Sequence, residues 1–429
     1  MSQTTPQRRE PHGVTAERYA VRNFTGGVIH GVFFAVSMAF SHPDTVLPAY
    51  IGLLSQSKFY IGLLSSILVG GAVLPQLFFS ALLDPRPAKK PWLVWGIVAR
   101  VASWFFLGLS TLLLGQQHPR LILYSLFFWL LIFSVGGALA GVAFTDVMGK
   151  AIPPRIRGSF FGLRQLLGSL LAFSSGLAVK RILGNSAIAF PVNYAYLFLL
   201  SALALGVATF GFTMIREPIE GELPPRQPLR HYLQTIRDLW RSDLRLRELI
   251  VVQNLISLDL VILPFYVTFA RERLGLGGES IGTFVMFQVA GAALSNLLWA
   301  WMNDRFSSRT LLRATVALEA VVPLAGLALG AFAPSQFAWA FALLGASASA
   351  RGMAFNTALI DIAPSGRRST YTGLQGTLTS PTLLFPFLGG LLIPLLGYAA
   401  VFLAVATAMI LVVGWMAVSP KRAGAVRKT

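Results

Sequence analysis

Long apolar runs alternate along the chain with short polar breaks, and most of the breaks are basic. A membrane-crossing helix needs about 20 mainly apolar residues. Twelve stretches reach helix length: 24–50, 59–83, 91–115, 119–148, 158–182, 190–214, 247–269, 279–303, 309–332, 336–361, 370–396 and 398–418. None alternates residue by residue, as a barrel strand would. The pattern therefore predicts an all-α polytopic membrane protein with twelve transmembrane helices. The first stretch is longer than a cleavable leader, lacks a small-residue cleavage pattern and follows a polar segment, so it is expected to persist as a span.

One break is much longer than the others. Residues 215–246 divide the chain into six spans and six. This segment opens with Pro218, Pro224, Pro225 and Pro228. Leu229, Leu233, Ile236, Trp240 and Leu244 then recur at helical spacing among Arg230, Arg237, Arg241 and Arg245. An amphipathic helix on the membrane surface is expected there. The resulting organisation is a tail (1–22), a six-helix bundle (23–214), a central loop (215–246), a second bundle (247–418) and a second tail (419–429).

The two halves repeat one another. Asp44-Thr-Val-Leu-Pro48 closes the first span, and Asp259-Leu-Val-Ile-Leu-Pro264 lies in the seventh. Asp84 with Arg86, Lys89 and Lys90 follows span 2, and Asp304 with Arg305 and Arg309 follows span 8. Asp146 precedes Arg155 and Arg157 after span 4, as Asp361 precedes Arg367 and Arg368 after span 10.

Composition agrees with the pattern. Hydrophobic residues make up 55% and charged residues 12%, against about 25% charged in a soluble domain. Mean hydropathy is +0.66. An aqueous globular fold is excluded. The chain has no cysteine, which removes disulfides, thiolate metal sites and a cysteine nucleophile. The net charge of +18 could suggest nucleic acid, but its distribution points elsewhere. With both termini on one side, 26 of the 35 lysines and arginines fall on that side and six on the other. The bias predicts cytoplasmic termini, a cell-membrane location and attraction of anionic headgroups to the cytoplasmic loops. No nucleic-acid partner is expected.

A six-plus-six chain with its termini inside, a long basic central loop and a repeated acidic-then-basic loop resembles the major facilitator superfamily. The resemblance covers about residues 20–420. The family's loop signature is roughly Gly-x-Leu-Ala-Asp-Arg-x-Gly-Arg-Arg/Lys. The chain keeps its charges, but Ser80 and Pro87 replace the glycines in the first copy, and Ala300 and Ser307 in the second. Span 5 lacks the Gly-Pro pair often found in the family's drug antiporters. The resemblance implies two pseudo-symmetric bundles rocking about a central site, with spans 1, 4, 7 and 10 lining the cavity and spans 3, 6, 9 and 12 outside.

A charge inside the bilayer needs a partner or a task. Asp259, midway along span 7, is the leading candidate for protonation or substrate contact, with Gln253 and Asn254 below it. Arg351, among small residues in span 10, could hold an anionic group or neutralise Asp259. Asp44 stands beside Pro43 and could cap a helix break. His30, Asn356 and Arg164 complete the candidates for substrate or proton coupling. Arg100 and Glu319, on the outer spans 3 and 9, are expected to make structural contacts. Asp84, Lys89, Lys90, Asp304, Arg305, Arg309, Asp146 and Asp361 form the gating set. A carboxylate at Asp84 or Asp304 could latch the inner face shut through a basic residue or a helix N-terminus. No metal-ligand pair, phosphate loop or catalytic cluster stands out, so no catalytic residue, cofactor or metal is expected.

The function expected is secondary transport of a small solute by alternating access, as a monomer. Proton-coupled export of a hydrophobic or amphipathic compound leads. Import or facilitated passage of a nutrient or organic anion is the alternative. A non-transporting sensor and a membrane enzyme are the readings from other classes.

Overall fold

The computed structural model describes residues 17–83, 85–219, 237–363 and 368–418. Every regular element among them is helical. Ten helices are long and apolar enough to cross a membrane. Span 10, Ala338–Ile362, has the length but is diluted by Ser347, Ser349, Arg351 and Asn356. The last helix, Phe385–Val418, breaks at Gly397, whose φ of 80° closes span 11 and opens span 12. A left-handed backbone there is open to glycine at no steric cost. Counted this way, the described residues form twelve segments, in the order that hydropathy predicts.

Two spans are discontinuous. Span 1 runs Ala20–Phe40 and resumes at Val46–Leu54. Span 7 runs Leu244–Ile256, passes through short 3-10 turns at Ser257–Val261 and Leu263–Phe265, and resumes at Tyr266–Arg273. Both breaks fall at the repeated Asp…Pro sequence. Proline removes a backbone donor and so frees carbonyls that a broken helix must satisfy otherwise. The remaining spans are Lys58–Val73 with Gln76–Leu83, Lys90–Leu114, Pro119–Ala151, Arg157–Gly184 and Val192–Met214 in the first half. Gly278–Arg305, Ser308–Phe332 and Arg368–Thr379, continuing into the last helix, belong to the second half.

Span 7 begins earlier than its hydropathy suggests. Asp243 caps it, accepting from the backbone N–H of Arg245 and Leu246 at 3.0 Å each. Leu244 therefore belongs to span 7 and not to the surface helix. Of that predicted helix only 237–242 is described and is helical; Leu229, Arg230, Leu233 and Ile236 lie outside the described residues, as do the two tails for most of their length.

Packing follows membrane rules. Leu121, Tyr124, Phe128 and Leu131 form an exposed stripe on span 4, suited to lipid. Helices approach closely at small residues: a Cβ on Gly96 would lie 2.7 Å from the Gly136 carbonyl oxygen, joining spans 3 and 4. Aromatic rings fill each half, with Trp104 stacked on Phe198 in the first and Phe284 on Phe341 in the second.

The halves meet on the face away from the termini. A Cβ on Gly62 of span 2 would stand 2.4 Å from the Pro386 carbonyl oxygen of span 11. One on Gly282 of span 8 would stand 2.5 Å from the Gly176 carbonyl oxygen of span 5. Lys58 pairs with Glu272, and Arg271 donates to the Ala49 carbonyl at 2.8 Å. Gln288 donates to Asp44 at 2.9 Å, deeper in the same seam. On the terminal face the halves separate around a cavity of about 480 Å³.

Candidate functional site

The break in span 7 places Asp259 on a 3-10 turn, where its side chain leaves the helix axis toward span 10. Arg351 meets it with a two-pronged contact: Nη1 donates to Asp259 Oδ1 at 3.0 Å, and Nη2 donates to Oδ2. The same Nη2 donates to Glu319 Oε1 of span 9 at 2.7 Å. Spans 7, 9 and 10 are thus tied through one guanidinium. Side-chain exposure is 8% for Asp259, 2% for Glu319 and 21% for Arg351. Ions this far from water persist only when paired with good geometry. Arginine suits the role because its planar fork can serve two carboxylates at once. Among the described residues Arg351 Nε and Tyr266 Oη are buried without a hydrogen-bond partner. With all three groups ionised the cluster carries one net negative charge, and a single proton neutralises it.

Glu319 is the member that sequence reasoning placed elsewhere. It was expected to make only structural contacts on an outer helix, yet its carboxylate reaches the centre of the second half. Its sequence signal is a carboxylate within an apolar span.

The other candidates sort by position. Asn356 lines the 480 Å³ cavity with Gln165, Asn296, Ser349, Gly352 and Met353. Asn254 donates to the carbonyls of Ile250 and Leu378, at 2.9 and 3.2 Å, fastening span 7 to span 11. Gln253 accepts from Gln375 at 2.7 Å and has the same fastening role. Asp44 stands in the break of span 1, where the resumed helix has Thr45 at its N-cap and no side-chain cap; the Asp44 backbone N–H donates to His42 Nδ1 at 3.3 Å, and its carboxylate accepts from Gln288. His30 stacks on Phe212 at 3.9 Å and donates from Nδ1 to the Ala208 carbonyl at 3.3 Å. It is wedged between spans 1 and 6, apart from the Arg351 cluster. Arg164 lies against Gly31 and over the Phe144 ring at 4.9 Å.

The gating set divides in the same way. Lys89 and Lys150 pair with Asp146 at 3.2 and 2.5 Å. Lys90 Nζ donates to the carbonyls of Thr213 and Ile215, at 2.9 and 2.6 Å, closing the end of span 6. Glu217, which the sequence did not single out, accepts from the Lys89 and Lys90 backbone N–H groups at 3.0 and 2.7 Å. The carboxylate at a helix N-terminus expected of Asp84 is supplied here by Glu217; Asp84 itself lies outside the described residues. Arg309 approaches Glu248 at 3.7 Å. Asp304, Arg305 and Asp361 are exposed on the terminal face.

Two helical bundles of the same plan are closed together at one end and parted at the other around a cavity of mixed lining. The family profile described as Major Facilitator Superfamily matches residues 249–429. The match covers the second half of the chain, which is similar to that superfamily. Its fold is similar to a POT family transporter in complex with a thioalcohol-conjugated peptide, at 14% identity and TM-score 0.69 over 92% of this chain and 96% of that one. A bacterial homologue of the iron transporter ferroportin in an inward-facing state shares 13% identity and TM-score 0.69 over 92% and 98%. The nucleoside transporter NupG shares 14% identity and TM-score 0.64 over 92% and 98%. No curated protein sequence matches the chain.

Proposed function

We propose that the protein is a proton-coupled secondary transporter that exports a hydrophobic or amphipathic solute by alternating access. The observation that carries this reading is the Asp259–Arg351–Glu319 cluster. A proton-coupled carrier needs a buried group whose charge state alters helix contacts. Here one proton on a carboxylate would loosen an ion pair that joins spans 7, 9 and 10. Asp259 holds Arg351 with both oxygens, whereas Glu319 makes one contact. Glu319 is therefore the member we assign to carry the proton, with Asp259 retaining Arg351.

With the basic face cytoplasmic, the parted end opens inward and the closed end faces outside. Gating then requires the Lys58–Glu272 and Arg271–Ala49 contacts to break as the inner face closes. Asp304 is exposed in this inward-open state, as expected of a latch that engages only on inner closure. We read the protein as a cell-membrane monomer with both termini cytoplasmic. In the second reading, import or facilitated passage, Arg351 would anchor an anionic nutrient. The guanidinium is already shared by two carboxylates, which favours the first reading.

The test uses the full chain in liposomes with a trapped pH dye and a panel of lipophilic and amphipathic solutes. Solute-evoked proton movement that is lost in Asp259→Asn and Glu319→Gln is expected. Solute flux with no proton movement would reject coupling, and proton flux that survives both substitutions would remove the cluster from the mechanism.

A further inference from the structure

The first half carries two half-buried cations with no carboxylate partner among the described residues. Arg100 of span 3 lies over the rings of Phe34 and Phe133, at 4.8 and 4.1 Å. Its Nε is buried without a hydrogen-bond partner. Arg164 lies over Phe144 and packs against Gly31 so closely that a Cβ there would sit 1.8 Å from its Nε. Gly31 and Phe34 are neighbours one turn apart on span 1, so the two guanidinium groups flank the same patch of that helix. Between residues 23 and 214 the sequence holds three acidic residues, Asp44, Asp84 and Asp146. Asp44 is engaged by Gln288 and Asp146 by Lys89 and Lys150. Asp84 lies outside the described residues. Among the described residues neither arginine has a carboxylate partner.

Internal symmetry sharpens this. Pro119 and Pro334 open spans 4 and 10, Asp146 and Asp361 end them, and each pair is 215 residues apart. The same offset pairs Arg351 with Gly136. In the second half, Glu319 of span 9 meets Arg351 of span 10. At the equivalent place in the first half, Arg100 of span 3 meets Gly136 of span 4, where a Cβ would lie 3.3 Å from Arg100 Cγ. The charged partner has been replaced by hydrogen. The cavity-lining Gly352, Asn356 and Ile360 of span 10 correspond in the same way to Gly137, Gly141 and Thr145 of span 4. On a helix these lie about 120° round from the lipid-facing stripe. Gly141 and Thr145 are exposed, and a Cβ on Gly137 would stand 3.7 Å from Arg100 Cζ. The Arg100 guanidinium therefore lies beside the face of span 4 that corresponds to the cavity-lining face of span 10.

We infer that Arg100 and Arg164 form an anion-binding subsite, and that the transported solute carries a carboxylate, sulfonate or similar oxyanion on an apolar body. The inference rests on the transport reading and names its substrate class. The oxyanion takes the place of the missing carboxylate, and the rings of Phe34, Phe133 and Phe144 receive the apolar part. A cation inside the membrane is costly without a partner, so the two guanidinium groups favour an anion. The proton and the substrate then act on opposite halves, one on the Arg351 cluster and one on Arg100 and Arg164.

The experiment is equilibrium binding to the full chain in zwitterionic nanodiscs. The probes are aryl and alkyl carboxylates and sulfonates, with 1-naphthoate and its neutral amide 1-naphthamide as a matched pair. The acid is expected to bind, and Arg100→Gln and Arg164→Gln each to weaken it by about ten- to hundredfold, the worth of one hydrogen bond to a charged group. Arg100→Lys should retain part of the affinity. The amide should bind weakly to every variant. Equal affinity for acid and amide, or a panel in which no anion depends on Arg100, overturns the inference. Displacement of 1-naphthoate by phosphatidylglycerol in the nanodisc assigns the site to a lipid headgroup and overturns it as well. A purely bracing role for Arg100 predicts a lower thermal midpoint in Arg100→Gln, whereas an unpaired cation predicts an unchanged or higher one. Binding needs no flux, so Arg100-dependent binding without transport would reject the transport reading alone. Transport indifferent to Arg100 would reject the subsite alone.

Discussion

Replacing Glu319 by Gln should uncouple the protein without unfolding it. The cluster holds one guanidinium and two carboxylates, all within 3.0 Å hydrogen bonds. The glutamine keeps the volume and leaves an oxygen to accept from Arg351 Nη2. What it removes is the charge that a proton would cancel. In the native protein one proton per solute converts each unit of pH difference into about 1.4 kcal/mol, a tenfold solute gradient. In Glu319→Gln the remaining Arg351–Asp259 pair is neutral throughout, so a pH gradient should drive no accumulation and the ratio should fall to about one. Exchange of labelled solute between equal concentrations should continue, because alternating access remains. The assay is uptake into inverted vesicles under an imposed pH gradient, read beside equilibrium exchange. A gradient-driven tenfold ratio that persists in Glu319→Gln would refute the assignment of the proton to this cluster.

Four further outcomes follow from contacts in other parts of the fold. Arg351→Gln strands two buried carboxylates, and breaking such a pair costs about 3–5 kcal/mol; thermal unfolding in detergent should show a large loss, which Asp259→Asn in the same background should partly restore. Gly282→Ala inserts a methyl 2.5 Å from the Gly176 carbonyl oxygen, between the halves, and should favour outward opening at little cost in melting temperature. Gly345→Ala meets the Gln288 carbonyl oxygen at 1.9 Å within the second half; overpacking there should cost about 1–3 kcal/mol, read as a lower midpoint with no change of state. Glu217→Gln weakens charge-assisted bonds to the Lys89 and Lys90 amides and should lower stability by about 1–2 kcal/mol, an effect that added salt should scarcely alter because the carboxylate is only 4% exposed.

Much of the fold is legible in the sequence because lipid imposes a one-dimensional rule: each crossing must be a long apolar helix. The breaks in spans 1 and 7 are legible as well, since Pro48 and Pro264 cannot continue a helical hydrogen-bond ladder. Asp259 and Arg351 stand out as charges in apolar surroundings. Glu319 carries the same signal but was discounted on the ground that span 9 is peripheral. A glutamate side chain is long enough to reach past its own helix, and only the packing of spans 9 and 10 reveals where it ends. For His30 the sequence is silent in another way, since a histidine on an apolar helix says nothing of the Phe212 ring that covers it. Glu217 reads as loop because the amides it caps are more than a hundred residues earlier. Which end of the molecule is closed is likewise a matter of packing: Gly62, Gly176 and Gly282 look like ordinary membrane-helix glycines until the opposite half is seated on them.

Alternating access is the central claim, and the absence of cysteine from the sequence makes it directly measurable. Gln165→Cys places a thiol beside the inner cavity, where the native side chain is exposed. Leu183→Cys places one under the closed seam, where the native side chain is 9% exposed. Alkylation rates of the two single-cysteine proteins should move in opposite directions when a transported solute or the Gly282→Ala substitution shifts the balance of states. Rates that rise or fall together, or that never change, would contradict a rocking of the two halves about a central site.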